Sequence, residues 1–412
     1  MVERAYMNVL LLGNGFDLYH SLPTKYHNFL HTVDFLISHQ SQKFNIVADV
    51  LGEDSLREID GYIDECYEKH NAAYSKCELD QDKVKRLIQL ACNNYWFKYL
   101  NKTFNKDVGW IDFEKEVAVV LEAFRVFKKQ DDPRYGQRTV FKDNTHSFII
   151  DEFDFFLEKN FTDSWDFSVS HKVCDEYNVE YPLSSGIRHI NHEKIIKKLI
   201  DQLNELSEAL KLYLDCFVDS TVSYIFENEP VIKYEPLNYA DFILTFNYTN
   251  TFEKGYSDNP IFHIHGNVNE KIVLGVNPDF HDDGDTVDTS FVAFKKYFQR
   301  VLYSTDTDYL SWISKIKNSE ENVNLVVMGH SLDVTDEDII KELFLSVHEI
   351  FILYHDDSAM FSYISNLIKM FGKSQFDMLR KDKNLRFMNI KEDAGKVKDI
   401  LESDCFFQGL GK

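Results

Sequence analysis

The chain has 412 residues, and its 68 Asp+Glu outweigh 45 Lys+Arg to give a formal net charge of −23. That balance excludes a general nucleic-acid binder, whose affinity rests on neutralising phosphates. The length is enough to bury a sizeable core, and abundant aromatics (34 Phe, 22 Tyr) with only 7 Pro mark an ordered globular protein. No window approaches the run of about 18 apolar residues that a bilayer-spanning helix needs, and the N-terminus lacks a signal-peptide layout. The expectation is a cytoplasmic protein with no membrane segment. Six scattered cysteines (Cys66, Cys77, Cys92, Cys174, Cys216, Cys405) include no C-x-x-C pair and are read as reduced thiols.

In chain order, the apolar run Val9–Leu12 predicts a buried strand that stops at Gly13-Asn14-Gly15, followed by Asp17 and then Leu22-Pro23. A strand that ends at a G-x-G turn and re-enters as a helix builds a phosphate site, because the backbone comes close and the helix N-terminus offers N–H groups. The third glycine of the dinucleotide fingerprint is absent, so alone the turn reads equally as a tight strand-to-helix connection. From about residue 45 to 235 helical periodicity takes over. It predicts helices over Asp82–Leu100, Trp110–Lys128, His146–Asn160 and Ile195–Phe226, with polar connections near 129–145 and 163–192.

A second apolar strand, Asp241–Phe246, runs into Asn247-Tyr248-Thr249-Asn250-Thr251-Phe252-Glu253. The segment Phe262–Asn267 follows, where alternation places His263 and His265 on one face of a short strand. A third strand, Asn324–Met328, runs into Gly329-His330-Ser331-Leu332-Asp333-Val334-Thr335-Asp336, and two more are predicted at His348–Tyr354 and Leu385–Ile390. Apolar strands interleaved with helices predict an α/β fold with a mostly parallel sheet covered on both faces. Residues 1–45 and 236–412 are read as one nucleotide-binding α/β domain split by a large helical insertion, 46–235. In such sheets ligands sit beyond the carboxyl ends of the strands. Three of the four motifs fall at predicted strand ends and the other lies just after one, so all four converge on one crevice.

Together, Gly13-Asn14-Gly15-Phe16-Asp17 with Leu22-Pro23, the segment Thr245–Glu253, His265-Gly266-Asn267 and Gly329–Asp336 resemble the AbiH family of bacterial abortive-infection proteins. The resemblance extends over most of the chain, including Trp110-Ile111-Asp112-Phe113-Glu114, and implies a role in phage defence. The same motifs are similar in order and spacing to the sirtuin-like, inverted-Rossmann pattern G-A-G-x-S…G-I-P, N-x-D, H-G, G-x-S-L. That resemblance implies NAD as ligand. Gly13 and Gly15 would face the pyrophosphate, Asn14 and Pro23 would bind the cofactor beside them, and Asp17 would orient the ribose or cap the helix. Gly329 and Ser331 would line the adenosine ribose, Asn247 would sit at the nicotinamide ribose, and His265, followed by Gly266, would be the catalytic histidine.

The chemistry asks for such groups. N-glycosidic cleavage builds positive charge on the ribose as nicotinamide leaves; an amide orients the ribose or a water, and an imidazole titrating near neutrality takes a proton. Asp17 stands where the sirtuin pattern has serine, Ser21 where it has glycine, and Thr249 where it has the aspartate of N-x-D; the cysteine zinc module is absent. Protein deacylation is therefore not expected. The expected activity is binding and hydrolysis of NAD or a related nucleotide without a metal. Expected partners are a phage-derived trigger or a second defence protein, and a second copy of the chain.

Each residue also has a plainer reading. Asn247 suits an Asx turn, His265 a core position, Gly329 and Ser331 a strand-to-turn cap, Asp336 and Asp338 the first turn of a helix, and Glu114 a solvated helix face. Two rival functions stand beside the nucleotide hydrolase. One is a metal-dependent phosphoesterase or nuclease using His263, His265, His281, Asp282, Asp283 and Asp285, although the D-x-H and G-D-x-x-D signatures of that class are missing. The other is a non-catalytic nucleotide sensor.

Overall fold

Every residue of Val9–Leu12 is buried, and the run splits cleanly between two cores. Val9 and Leu11 pack with Leu325, Val327, Ile350 and Ile352, whereas Leu10 and Leu12 pack with Val326, Met328, Phe351 and Leu353. An unbroken apolar run rather than an alternating one is what a strand covered on both faces requires. Fully burying each such aliphatic side chain contributes about 1.5–3 kcal/mol. Helices Glu337–Ser346, Thr307–Lys317 and Asp357–Asp382 supply the first core (Ile339, Ile340, Trp312, Leu367), and helix Ala394–Glu402 contributes Val397 and Leu401 to the second.

The computed structural model describes residues 6–103, 113–130, 138–141, 153, 156–161, 169–173, 178–180, 188–228, 233–256, 259–277, 289–305, 307–317 and 322–402. Its strands are β1 (Tyr6–Leu12), β2 (Arg138–Phe141), β3 (Phe156–Phe161), β4 (Val169–Val173), β5 (Asn178–Glu180), β6 (Arg188–Ile190), β7 (Phe242–Thr245), β8 (Ile261–His263), β9 (Asn322–Met328), β10 (Glu349–Tyr354) and β11 (Arg386–Asn389). Six of them form one sheet in the order β11-β10-β9-β1-β7-β8, with every pairing parallel. Counted along the chain, its strands lie 6-5-4-1-2-3, the doubly wound order, which reverses between β1 and β9. The expected α/β fold with a parallel sheet is therefore present, and all five predicted strands are in it.

Register carries the consequence for function. Leu12 pairs with Met328 on one side and Thr245 on the other, and Thr245 pairs with His263. Four neighbouring strands thus end level, and the loops after them start side by side.

The chain divides into two compact units, one of Met1–Lys85, Leu210–Val273 and Arg300–Lys412, the other of Arg86–Ala209 and Leu274–Gln299. The second unit is built around Trp96, whose indole N–H donates to the Leu199 carbonyl at 2.9 Å and whose ring meets Phe153 edge-on. Glu114 is not on a solvated face: it forms a 2.6 Å ion pair with the buried Lys296.

Several predicted elements are corrected. Asp82–Leu100 is two helices, Gln81–Cys92 and Tyr95–Thr103, because Asn94 turns its side-chain carbonyl onto the Phe97 N–H and caps the second. Residues 156–160, taken as helix, belong to β3, and the regions read as connections hold β2, β4, β5 and β6 in antiparallel pairs. Phe113–Gln130 is helical as expected, while Trp110–Asp112 lie outside the described residues. The long helical segment is His192–Tyr213 and Ser220–Asn228 joined by a π-helical turn, Leu214–Asp219. Cys66, Cys77 and Cys216 are buried free thiols, and burial pushes the Cys66 thiol up to about 12. No helix among the described residues is long and apolar enough to cross a membrane.

Gly329 adopts φ +72°, and a Cβ there would overlap the Phe16 backbone nitrogen. Gly329→Ala is expected to destabilise the fold by about 2–4 kcal/mol, combining left-handed strain and overpacking. Urea unfolding monitored by circular dichroism checks this; a change under 0.5 kcal/mol would show that the contact relaxes freely.

Candidate functional site

The first wall is two glycine turns packed on each other. The Gly13 N–H donates to the Met328 carbonyl at 3.1 Å and the Gly15 N–H to the Gly329 carbonyl at 2.8 Å. A Cβ on Gly13 would lie 2.5 Å from His330 Cα, and one on Gly15 would lie 2.6 Å from Gly329 Cα. The Phe16 N–H is also engaged, by the Gly13 carbonyl at 2.8 Å. The N–H groups of Gly13, Gly15 and Phe16 therefore bond within the protein, contrary to the expectation of donors left free for an anion. The face that the glycines leave bare is covered by the Gly329–His330 backbone. The helix it opens, Asn14–Tyr19, is short. Asn14 is exposed, its amide 3.4 Å from the Thr24 carbonyl.

The loop that closes this wall is braced. Pro23 is buried and its carbonyl accepts from the Tyr213 hydroxyl at 2.7 Å, while the Leu22 carbonyl accepts from Tyr62 at 3.1 Å. Ser21 has φ +54° and its hydroxyl accepts from Lys69 Nζ.

The second wall follows β7. Asn247 is 7 % exposed; its backbone N–H donates to Thr245 Oγ1 and its carbonyl meets His263 Nδ1 at 2.9 Å. Its side-chain amide makes no hydrogen bond among the described residues. Two positions on, Thr249 donates its hydroxyl to Asp17 Oδ2 at 2.7 Å, and Thr251 donates to Thr249 at 3.1 Å. Asp17 is 1 % exposed, and its other oxygen has no hydrogen-bond partner. Burial, opposed by the threonine hydrogen bonds, pushes its carboxyl up to about 7. Asp219, presented by the π turn, anchors the same loop by accepting from the Asn250 N–H at 2.8 Å and pairing with Lys254. A π turn at such a position is a recurrent feature of functional sites.

The third group is a buried acid between two histidines. His265 Nε2 lies 3.3 Å from Asp336 Oδ1 and His330 Nε2 lies 3.8 Å from Asp336 Oδ2, with the Phe246 ring 5.1 Å from one imidazole and 4.3 Å from the other. His330 Nδ1 accepts the Leu332 N–H at 2.9 Å, so a neutral His330 carries its proton on Nε2, toward the acid. Asp336 is the N-cap residue of helix Glu337–Ser346 and Asp338 lies in its first turn, as expected; the Asp336 side chain makes no capping bond, and its carboxylate faces the two histidines. Asp338 pairs with the buried Arg300. His265 lies past the end of β8, in a turn rather than on the strand, and His263 alone is in β8, bonded to Glu253 at 2.7 Å. Gly266, buried at φ +74°, has no room for a Cβ against the Lys271 carbonyl.

Gly13, Gly15 and Gly329 are thus brought into contact, Asp17 is joined to the Asn247 loop through Thr249, and His265 is joined to the Gly329 loop through Asp336. Ser331 is exposed, and its carbonyl accepts from Asn366. Among the described residues no group of three or more His, Cys, Asp or Glu is placed to hold a metal ion. The His281–Asp285 stretch of the metal reading lies outside the described residues.

The chain matches the family model for "Bacteriophage abortive infection AbiH" over residues 9–354, most of its length. The chain belongs to the AbiH family. No curated protein and no solved structure matches it. Membership of the AbiH family brings a role in abortive infection, the bacterial defence against phage. The matched span begins inside β1 and ends with β10, so all four loops of the candidate site belong to the family's own sequence.

Thr249, Asp219, His330 and Asp336 carry roles that the sequence reading left unassigned. Asp336 had a signal, since it closes the Gly329–Asp336 motif; Asp219 had none, because its partner is 31 residues away across a change of element.

The Asp17 carboxyl yields a pH prediction. Its folded value, about 7, exceeds the ordinary 3.8, so the folded state keeps a proton that the unfolded chain releases. That contribution is complete below about pH 4 and is lost as pH rises to about 7, a change of about 4 kcal/mol. Urea denaturation at pH 4.5, 6 and 8 should show wild type losing stability relative to Asp17→Asn across that window and no further change above it. A parallel pH dependence in the two proteins would refute the shift.

Proposed function

We propose that this AbiH-family protein is a cytoplasmic phage-defence effector that binds NAD, or a closely related nucleotide, and hydrolyses its N-glycosidic bond. The observation that carries the reading is the pair of unused polar groups at the level strand ends. The Asn247 amide makes no hydrogen bond among the described residues, and the facing loop holds Asp17 with one oxygen unpaired. Buried polar groups are nearly always satisfied, so the unpaired Asp17 oxygen, beside an amide that makes no hydrogen bond among the described residues, suits a polar ligand at the carboxyl edge of a doubly wound sheet.

In this reading the ligand lies on the β7 side of the packed glycine turns. Asn247 orients the nicotinamide ribose. As the C1′–N bond breaks, its electron pair leaves with nicotinamide and water adds to C1′. His265 takes the proton released, and Asp336 holds the imidazole and stabilises its charged form. A phage-derived trigger or second defence protein would release the activity, and self-association would regulate it.

Purified protein incubated with NAD, with and without infected-cell extract, tests this by nicotinamide release. Release should survive chelator and fall about 100-fold or more in Asn247→Ala and in His265→Ala. Loss with chelator would favour the metal-dependent alternative. Tight NAD binding without turnover in activating extract would favour a sensor.

A further inference from the structure

The second compact unit carries a site that the nucleotide reading does not use. Helix Gln81–Cys92 and helix Tyr95–Thr103 meet at a sharp corner, and helix His192–Tyr213 runs beside it. The corner is clamped by two buried amides. Asn94 donates to the Gln202 carbonyl at 2.7 Å; Gln202, 5 % exposed, accepts the Tyr95 N–H at 2.8 Å and donates to Glu205 at 2.6 Å. Above this floor is a cavity of about 430 Å³, within the size range of small-molecule sites. Its wall carries Arg86, Lys98 and Lys198, one from each helix, and its acid, Glu205, is already engaged by Gln202.

None of the three cations has an ion-pair or hydrogen-bond partner through its side chain among the described residues; Lys198 has only the Tyr95 ring, at 5.8 Å. Neighbouring lysines behave differently: Lys197 pairs with Asp201 and Lys83 with Asp215. In a chain of net charge −23, this wall carries three cations against the single carboxylate of Glu205. Like charges on a shared wall repel, and nothing in the packing of the corner requires them. The first residue of helix Tyr95–Thr103 also lines the cavity, which adds the positive end of that helix dipole to the same field.

We infer that this cavity binds a small phosphate-bearing anion, held by the Arg86 fork and the two lysines over the amide-clamped floor. Arg gives planar two-point recognition of phosphate and Lys a point charge, a combination suited to two adjacent phosphate groups. Because the three cations sit at the surface rim and take no part in the core, their replacement leaves the fold intact.

Isothermal titration of the full chain with inorganic pyrophosphate tests the inference. Saturable binding is expected, weakened at least tenfold in Lys98→Ala/Lys198→Ala and in Arg86→Ala, unchanged in Asn247→Ala, and weakened by raising salt from 50 to 200 mM. Circular dichroism verifies that each variant is folded. Absence of saturable binding, binding undiminished in the cavity variants, or loss of binding in Asn247→Ala would each overturn it. None of these results depends on NAD turnover, so the site stands or falls apart from the proposed reaction.

Discussion

The close approach of the loops after β1 and β9 governs the geometry of everything around it. Gly13, Gly15 and Gly329 form a backbone-on-backbone contact in which no added methyl group fits. The contact forms because β1 and β9 are adjacent and end level, Leu12 against Met328. It brings His330 to the Phe246 ring and sets Asp336, at the end of the same loop, between two histidines. It also directs Asp17 toward the loop after β7. The usual crevice at the reversal of a doubly wound sheet is thus narrowed by protein backbone, and the unused polar groups lie to the β7 side of it.

The Asp17 carboxyl and the Thr249 hydroxyl are hydrogen-bonded to each other at 2.7 Å across the loops after β1 and β7. On the β1 side the carboxyl is buried at the start of a helix, with desolvation outweighing its hydrogen bonds, so it titrates close to neutrality. Ser21 adopts a left-handed backbone, and its hydroxyl is held by Lys69.

The sheet was legible because a strand buried on both faces reads as a bare apolar run, and Val9–Leu12, Asn324–Met328 and His348–Tyr354 have no competing helical period. Helix boundaries were less legible. Asp82–Leu100 keeps its period through Asn93-Asn94, and the corner is set by Asn94, which caps the Phe97 N–H and donates to the Gln202 carbonyl. Residues 156–160 show a helical spacing that antiparallel pairing overrides. At the site, the residue types and their order along the chain pointed to the loops, since glycines that permit close approach and a histidine before Gly266 have few other uses. Pairings across the loops were not legible: the bonds of Asp17 to Thr249 and Asp219 to Asn250 join residues 232 and 31 positions apart.

We propose that the level ends of β1, β7, β8 and β9 form a nucleotide pocket in which the Asn247 amide meets the ligand. Titrating the full chain with NAD by calorimetry, before any question of turnover, tests it most directly. One saturable site per chain is predicted, with affinity at least tenfold weaker in Asn247→Ala, about 1.4 kcal/mol. No saturable binding up to millimolar NAD by the folded protein, or binding indifferent to Asn247→Ala, would contradict it.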